Sequence, residues 1–452
     1  LVWAPLPFAS NRVWGAALLA LLVSGILLAW LLLHLAGRAR MIDGVWHYGR
    51  WPLILLLLVQ LWVLVQSLPL PRPVVEALSP QAYAWHIRDG WLTLSLDPET
   101  TRLYLLRGCT YTAGFFLTLA LVNSHHRVQI LLQVLVFSGT LQASYGAFMV
   151  LSGMELGFFV EKYTGLGVAT GTFVNRNHLA GYLNMALAAG IGLMMSQWTV
   201  TTNHGWRERL RSWLRLLLSP KVRLRIYLVV MVIALVLTRS RMGNIAFFVA
   251  LGVAAAVSMY SGRRYSWRAV AFFSSFFIVD MLILGRWFGF DKLLQRIADT
   301  DPGTEARVWS NEYTLDIIDR FPLTGSGGGS FYGIFPNFQD AALQGFHLHA
   351  HNDYLEFAAD LGLPATAVLT LFAALAFYSA CRVQFDRHTP LYRGAGFAVT
   401  MTLAWAALHS LTDFNLQIPA NALTFVSLVA LAFSCRALPA MDGEQGGTSR
   451  WR

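Results

Sequence analysis

Long apolar runs recur along this chain and constrain its fold more than any other feature. Two examples are WGAALLALLVSGILLAWLLLHLA and WPLILLLLVQLWVLVQSLPL. A helix needs roughly 20 apolar residues to cross the hydrocarbon core of a bilayer, whereas a barrel strand shows alternating segments of about 10 residues. Only 13% of the residues are charged, and a typical soluble domain carries about 25%. We therefore predict an all-α, polytopic transmembrane helical bundle.

The apolar runs predict eleven spans, at residues 14–36, 51–69, 103–122, 127–151, 177–196, 224–239, 241–260, 267–285, 361–381, 392–411 and 419–437. The chain begins at Leu1 without an initiator Met and without the features of a signal peptide. We expect a further helix before Leu1, which raises the total to about twelve spans.

The segments between the spans alternate between two kinds, and the alternation predicts the topology. One set is basic and comprises Arg38 with Arg40, then 125–127, 207–225, 262–268 and 382–393. The other set is mixed or acidic and comprises 70–102, 152–176, 286–360 and 412–419. Lys and Arg concentrate on the cytoplasmic side of membrane proteins. We thus predict one integral membrane domain over 1–452, with 286–360 as a large periplasmic loop. The net charge of +10 reflects this topology and not a nucleic-acid partner.

Unusual polar residues gather on the predicted outer side. In GTFVNRNHLAGYL, Arg176, Asn177 and His178 precede an apolar span. Asn177 is a candidate helix cap, and a helix N-terminus beside an arginine suits an anion, although a plain capping segment explains the same residues. In LTRSRMGNIAF, Arg239 and Arg241 interrupt apolar sequence, where an arginine at membrane depth needs a partner.

The predicted outer loop contains a helix-forming stretch, WSNEYTLDIIDRF, with Arg307 near its start. Its period places Trp309, Tyr313, Ile317 and Phe321 on one face. The following GSGGGS at 325–330 lacks the Lys-Ser/Thr pair of a phosphate loop, and we interpret it as a flexible turn. Near the last span, Asp413 either orients a basic side chain or caps a short helix, and both alternatives stay open.

The stretch HLHAHNDYLEF places His347, His349 and His351 at alternate positions. A metal site, a polar helix cap and a catalytic base are the alternatives. Zinc sites favour wider histidine spacings or added cysteines, and Cys109, Cys381 and Cys435 form no CxxC pair. We expect no metal and no cofactor. Because imidazole titrates near neutral pH, one of the three histidines is a candidate base, and the spacing leaves open which one.

Arginines and an imidazole beside the outer leaflet suit transfer from a lipid-linked diphosphate. Planar guanidinium groups bind a leaving diphosphate in a bidentate manner and take over the role of a metal ion. A histidine accepts the proton of the attacking hydroxyl.

The ordered blocks GTFVNRNHLAGYL, TRSRMG, RVWSNEYTLDIIDRFPLTGSGGGSF, HAHNDYLEFAADLGLPA and HSLTDFNLQIPANAL resemble the O-antigen ligase family, most clearly from about residue 100 onward. This family groups O-antigen ligases with O-antigen and exopolysaccharide polymerases and protein O-oligosaccharyltransferases. The resemblance implies a GT-C-type membrane fold of about twelve helices in the bacterial inner membrane. It also implies metal-independent, inverting transfer of a glycan from undecaprenyl diphosphate at the periplasmic face.

The resemblance also implies roles for individual residues. His351, directly before Asn in AHNDYL, corresponds to the essential histidine, and Arg241 and Arg307 to the arginines that hold the diphosphate. Residues expected near the substrates are Arg176, Asn177, His178, Arg239, His349, Asn352 and Asp413.

The acceptor is either another repeat unit, which makes the protein a polymerase, or lipid A core, which makes it a ligase. We favour the polymerase, and membrane lipids are further expected partners. A flippase or transporter requires charged residues along the spans and repeated halves, and the sequence shows neither. An assembly scaffold, with the outer loop as a docking surface, is the remaining alternative.

Overall fold

A computed structural model describes residues 1–86, 90–158, 160–197, 220–261, 302–340 and 347–439. The α-helices are α1 Val13–Leu35, α2 Asp43–Ser67, α3 Arg72–Leu78, α4 Pro80–Trp85, α5 Pro98–Leu121, α6 His125–Ser152, α7 Arg176–Ser196, α8 Pro220–Leu237, α9 Arg241–Ser261, α10 Pro302–Arg320, α11 Phe331–Ile334, α12 Asp353–Leu361, α13 Leu363–Asp386, α14 Pro390–His409 and α15 Pro419–Ala437. Short 3-10 turns lie at Phe8–Ser10, Phe335–Asn337 and Asn415–Gln417. One small antiparallel pair joins β1 Leu156–Gly157 to β2 Val160–Glu161.

Seven of these helices are long and apolar enough to cross a membrane: α1, α2, α6, α7, α9, α13 and α15. Three further long helices, α5, α8 and α14, pack among them. Ten of the eleven predicted spans coincide with long helices, and the span predicted at 267–285 lies outside the described residues. The prediction of an all-α polytopic membrane protein is confirmed.

The centre of the bundle is formed by α7, α14 and α15. In α7 and α15, 83% and 89% of the apolar window is buried inside the protein, against 22% in the peripheral α1. Gly192 and Gly394 bring α7 and α14 into backbone contact, since a Cβ on either residue would collide with the carbonyl of the other. Small residues thus replace the large side chains that separate helices elsewhere.

A second, smaller apolar core lies beside the membrane helices. It joins α10, α12, α4 and the segment from Phe321 to Phe335, with Ile317, Phe321, Phe331 and Phe335 buried at its centre. The predicted apolar face of α10 is therefore confirmed at Ile317 and Phe321, while Trp309 remains 43% exposed.

The glycine-rich stretch 325–330 is a packed turn, contrary to our prediction of a flexible one. The backbone amides of Gly329 and Phe331 donate to the Asp360 carboxylate at 2.8 and 3.1 Å. The Gln66 side chain of α2 donates to the Thr324 carbonyl at 2.6 Å and accepts from the Gly328 amide at 3.1 Å. Amides that in a phosphate loop would bind a phosphate here bind a carboxylate of the protein itself.

Candidate active site

The segment that carries the histidines turns sharply into α12. His351 has a φ of 54°, a left-handed conformation uncommon for a residue with a side chain. The next residue, Asn352, caps α12, because its Oδ1 accepts from the amides of Tyr354 and Leu355 at 3.1 and 3.2 Å. The cap fixes the direction of the chain at His351.

Asp413 joins three parts of the chain. Its Oδ2 accepts from Asn177 Nδ2 at 2.6 Å, and its Oδ1 accepts from the Phe414 amide at 2.9 Å. His351 Nδ1 lies 3.4 Å from Oδ1, and His178 Nε2 lies 3.8 Å from the same oxygen. Three of the predicted site residues, Asn177, His178 and His351, therefore meet at the buried carboxylate of a fourth, Asp413.

The Asp413 carboxylate is ionised in this setting. Burial raises the pKa of Asp413, but the interactions with His178 and His351 outweigh this effect and hold the pKa well below its usual value. The side chain is only 1% exposed. A buried negative charge of this kind stabilises a positive charge on a neighbouring imidazole.

The ring of Phe414 lies among the same histidines. His349 stacks on it with ring centres 3.9 Å apart, and His178 and His351 meet it edge-on at 4.6 and 5.0 Å. Sequence reasoning missed Phe414. Its ring excludes water from the space between the imidazoles and fixes their relative positions.

Glu356 of α12 holds the second histidine. His349 Nδ1 lies 2.6 Å from Glu356 Oε1, and the Ala350 amide donates to Oε2 at 2.9 Å. Glu356 is buried, and sequence reasoning missed it as well. His347 is separate from this pair, with its ring centre 5.5 Å from that of Phe335.

Three carboxylates of α12 each hold a different loop. Asp353 accepts from the Ser410 hydroxyl at 2.8 Å, Glu356 holds His349, and Asp360 holds the glycine-rich turn. Burial raises the pKa of Asp353 and of Asp360 well above the usual value, and the amides and the hydroxyl offset this only in part. The spacing in DYLEFAADL places all three on one helical face, a signal that the sequence did contain.

The start of α9 lies beside the first turns of α7. Asn184 Nδ2 donates to the Gly243 carbonyl at 3.1 Å, and Gly243 leaves room for Ala180. Ser240 closes the first turn of α9, since its hydroxyl accepts from the Gly243 amide at 3.1 Å. Arg241 therefore begins α9 at the same end of α7 as His178.

Three predicted arginines are exposed at this end of the bundle: Arg176, Arg239 and Arg241. Arg176 and Arg241 each occupy the first residue of a helix. Because the N-terminal end of a helix dipole is positive, cations there are disfavoured and an anion is favoured. Arg307 lies in α10, but its side chain falls outside the described residues.

The prediction that Asn177 caps α7 is wrong. Asn175 is the cap, and its Oδ1 accepts from the Asn177 amide at 2.8 Å. The Asn177 side chain is instead directed to Asp413. Two asparagines at alternate positions both suit capping, and only the position of Asp413, more than 230 residues away along the chain, decides between them.

A comparison with known protein families supports part of the sequence resemblance. Residues 226–370 match the family model described as O-antigen ligase, which confirms the resemblance. The matched region contains Arg239, Arg241, Arg307 and His351, whereas His178 and Asp413 lie outside it. No curated protein matches the chain.

Proposed function

The chain carries a domain of the O-antigen ligase family, and from this premise we propose that it transfers a glycan from undecaprenyl diphosphate to an acceptor sugar hydroxyl. The observation that carries the proposal is the His351–Asp413 pair, which lies at the end of the bundle where Arg176 and Arg241 begin their helices. A membrane glycosyltransferase role in polysaccharide assembly follows from the family, and the donor, the acceptor and the residue roles are our proposal.

His351 acts as the general base in this mechanism. Its Nδ1 faces Asp413, so its Nε2 is the nitrogen that accepts the proton of the acceptor hydroxyl. The ionised Asp413 stabilises the imidazolium that forms, as an orienting carboxylate does in other His-Asp pairs.

The acceptor oxygen bonds to the anomeric carbon while the bond from that carbon to the phosphate oxygen breaks. The electron pair leaves with the diphosphate, whose growing negative charge is neutralised by Arg241 and Arg307. Attack from the face opposite the leaving group inverts the anomeric configuration. Each step needs only groups of the chain and the two substrates.

Transfer to another repeat unit would make the protein a polymerase, and transfer to lipid A core would make it a ligase. We propose polymerisation of O-antigen or exopolysaccharide. The description of the matching family favours ligation to lipid A core as the second candidate. Purified protein in liposomes should be given lipid-linked repeat units alone and then with lipid A core. Long products from repeat units alone support polymerisation, and products that require the core support ligation.

A matched pair of arginine variants tests the proposed donor site in the same assay. Arg241→Gln should reduce transfer by about 10–100-fold, because a charge-assisted bond to phosphate contributes roughly 1.5–3 kcal/mol. Arg223→Gln, an exposed arginine near the other end of α8, should leave transfer unchanged. Equal activity of the Arg241→Gln protein and the wild type would remove Arg241 from the donor site.

The proposed site faces the periplasm of the bacterial inner membrane. The support is the excess of arginine in segments such as 207–225 and 382–393, on the opposite side of the predicted topology. Leu411 lies two residues before Asp413 and is 50% exposed. In a cysteine-free background, Leu411→Cys should react with a membrane-impermeant thiol reagent added to intact spheroplasts, and protection until lysis would reverse the orientation.

A further inference from the structure

A cavity of about 490 Å³ lies between α2, α5 and the helices α12 to α15. Its outer wall is apolar, with Leu369, Phe372 and Phe377 of α13 facing Phe425 and Val426 of α15. A volume of this size and an apolar lining are typical of pockets that hold small organic ligands. The cavity is distinct from the His351–Asp413 pair, neither member of which lines it.

One wall of the cavity is polar. Arg107 and Tyr111 are one turn apart on α5, and Gln60 reaches the same wall from α2. Among the residues that the structure describes, no carboxylate lies within ion-pair distance of Arg107. A cation within an apolar helix bundle requires a partner, and this one has none among the described residues.

Two further polar groups on this wall point to a ligand. The hydroxyl of Tyr111 and the Oε1 of Gln60 are both buried and have no hydrogen-bond partner in the described part of the chain. Gly108 allows the close approach of Gln60, since a Cβ there would collide with the amide group. Buried polar groups are normally hydrogen-bonded, so these atoms are suited to a polar ligand.

Arg107 lies in the first half of α5. It lies nine residues after Pro98, or about 13 Å along a helix with a rise of 1.5 Å per residue. Leu96 lies just before the start of α5, and its amide donates to the carbonyl of Ser326 in the glycine-rich turn at 2.8 Å. Arg107 is therefore in the half of α5 nearer to the smaller apolar core.

We propose that this cavity binds an anionic lipid, with its phosphate on Arg107 and Tyr111 and its hydrocarbon chain against α13 and α15. The guanidinium and the phenol supply donors for phosphate oxygens, and Gln60 Oε1 accepts from a hydroxyl of the headgroup. Asp353 and Ser410 line the same cavity. The lipid therefore contacts residues that lie two and three positions along the chain from His351 and Asp413. The site is separate from the proposed donor diphosphate site at Arg241.

Native mass spectrometry of delipidated protein tests the proposal without any transfer reaction. The protein should retain phosphatidylglycerol more tightly than phosphatidylcholine with the same acyl chains. Arg107→Gln should weaken phosphatidylglycerol binding by about 10–100-fold, because a hydrogen bond to a charged group contributes roughly 1.5–3 kcal/mol. Arg107→Lys should retain most of the preference for the anionic lipid.

Arg102→Gln is the matched control, since Arg102 is exposed on the same helix and does not line the cavity. It should bind phosphatidylglycerol as the wild type does. Ala374→Phe fills the apolar side of the cavity and should weaken binding of the hydrocarbon chain with Arg107 intact. Equal binding of the two lipids, or wild-type binding by either the Arg107→Gln or the Ala374→Phe protein, would overturn the proposal.

Competition with a polyprenyl phosphate identifies the source of the lipid. Displacement of phosphatidylglycerol that depends on Arg107 assigns the cavity to an isoprenoid lipid, and failure to displace it assigns the cavity to a membrane phospholipid. Both outcomes preserve an anionic lipid on Arg107. Since binding is measured directly, loss of this site and loss of the proposed glycan transfer are distinguishable.

Discussion

His349 and His351 both pack against Phe414 and both face a buried carboxylate, but they are held in different ways. His349 stacks on the ring and lies 2.6 Å from Glu356, whereas His351 meets the ring edge-on and lies 3.4 Å from Asp413. Their side chains are 26% and 29% exposed, so access to solvent does not distinguish them. The difference lies in the partner of each imidazole.

The partner of His349 is local, and the partner of His351 is remote. Glu356 follows His349 by seven residues and also binds the Ala350 amide, so this pair fixes the shape of one short segment. Asp413 comes from the loop after α14 and also binds Asn177 at the start of α7. His351 is therefore held by contacts among several elements of the fold, which supports the proposal that His351 is the base.

The largest expected effect is the loss of activity in the His351→Gln protein. Without the imidazole, transfer should fall by about 10²–10⁴-fold, the usual contribution of a general base. The initial rate of glycan transfer in liposomes measures it, with helical content and thermal unfolding checked in parallel. His349→Gln should lower the rate far less. A larger loss of transfer rate in the His349→Gln protein than in the His351→Gln protein would identify His349 as the general base instead.

Asp413→Asn should lower transfer by about 10–100-fold, as expected for a residue that orients another. The amide keeps the size of the side chain but loses the charge that stabilises an imidazolium. The acidic limb of the pH–rate profile should therefore move to lower pH, which a purely structural loss would not cause. Asp386→Asn is a control, because that exposed carboxylate pairs with Arg382 at the end of α13, far along the chain from the histidines. An unchanged pH profile in the Asp413→Asn protein would separate Asp413 from the reaction.

Much of the fold was predictable from the sequence, because the bilayer imposes one length and one composition on every span. Ten of the eleven predicted spans coincide with long helices. The packing order was not predictable, since α1 and α15 both have the length and composition of a membrane span. Gly192 and Gly394 place α7 and α14 at the centre by backbone contact, and small residues alone do not identify their partner.

The site was predictable in its residue types and less so in its contacts. The resemblance pointed to His351, His178 and Asp413, and the sequence pattern added Asn177. These four meet in the structure. Glu356 and Phe414 were missed because a single acidic or aromatic residue beside an apolar span has many ordinary explanations. Local spacing relates Glu356 to Asp353 and Asp360, whereas no local pattern relates Phe414 to three histidines from two other segments.

Glu356→Gln tests whether the His349–Glu356 pair stabilises the fold rather than taking part in transfer. An amide at this position accepts one of the two hydrogen bonds that the carboxylate accepts, so the free energy of unfolding should fall by roughly 1.5–3 kcal/mol. Thermal or denaturant unfolding in detergent measures this change, and transfer should fall by less than about tenfold. In the His349→Gln, Glu356→Gln double variant the losses should be less than additive, because both remove one interaction. Fully additive losses would show that the two side chains act independently.

The smallest expected effect is on the pH dependence of stability, where Asp413 and Asp360 should act in opposite directions. The pKa of Asp413 is held low, so its contribution to stability is present above the usual carboxyl pKa of about 3.9 and is lost as the pH falls through its folded pKa. Burial and the nearby Glu356 raise the pKa of Asp360, so its contribution is present below about pH 3.9 and is lost as the pH rises through its folded pKa.

Thermal unfolding between about pH 3 and pH 9 should therefore show opposite pH dependence for Asp413 and Asp360, although burial by itself raises the pKa of both carboxylates. Asp413→Asn should flatten the acidic side of the profile, because no carboxylate remains there to lose its interactions with histidine. Asp360→Asn should flatten the alkaline side and lower the free energy of unfolding by about 0.5–1.5 kcal/mol, since the amide accepts from only one of the Gly329 and Phe331 amides. If both variants flatten the same side, the neighbouring histidines do not set the charge of Asp413, and the distinction between the two histidine pairs rests on geometry alone.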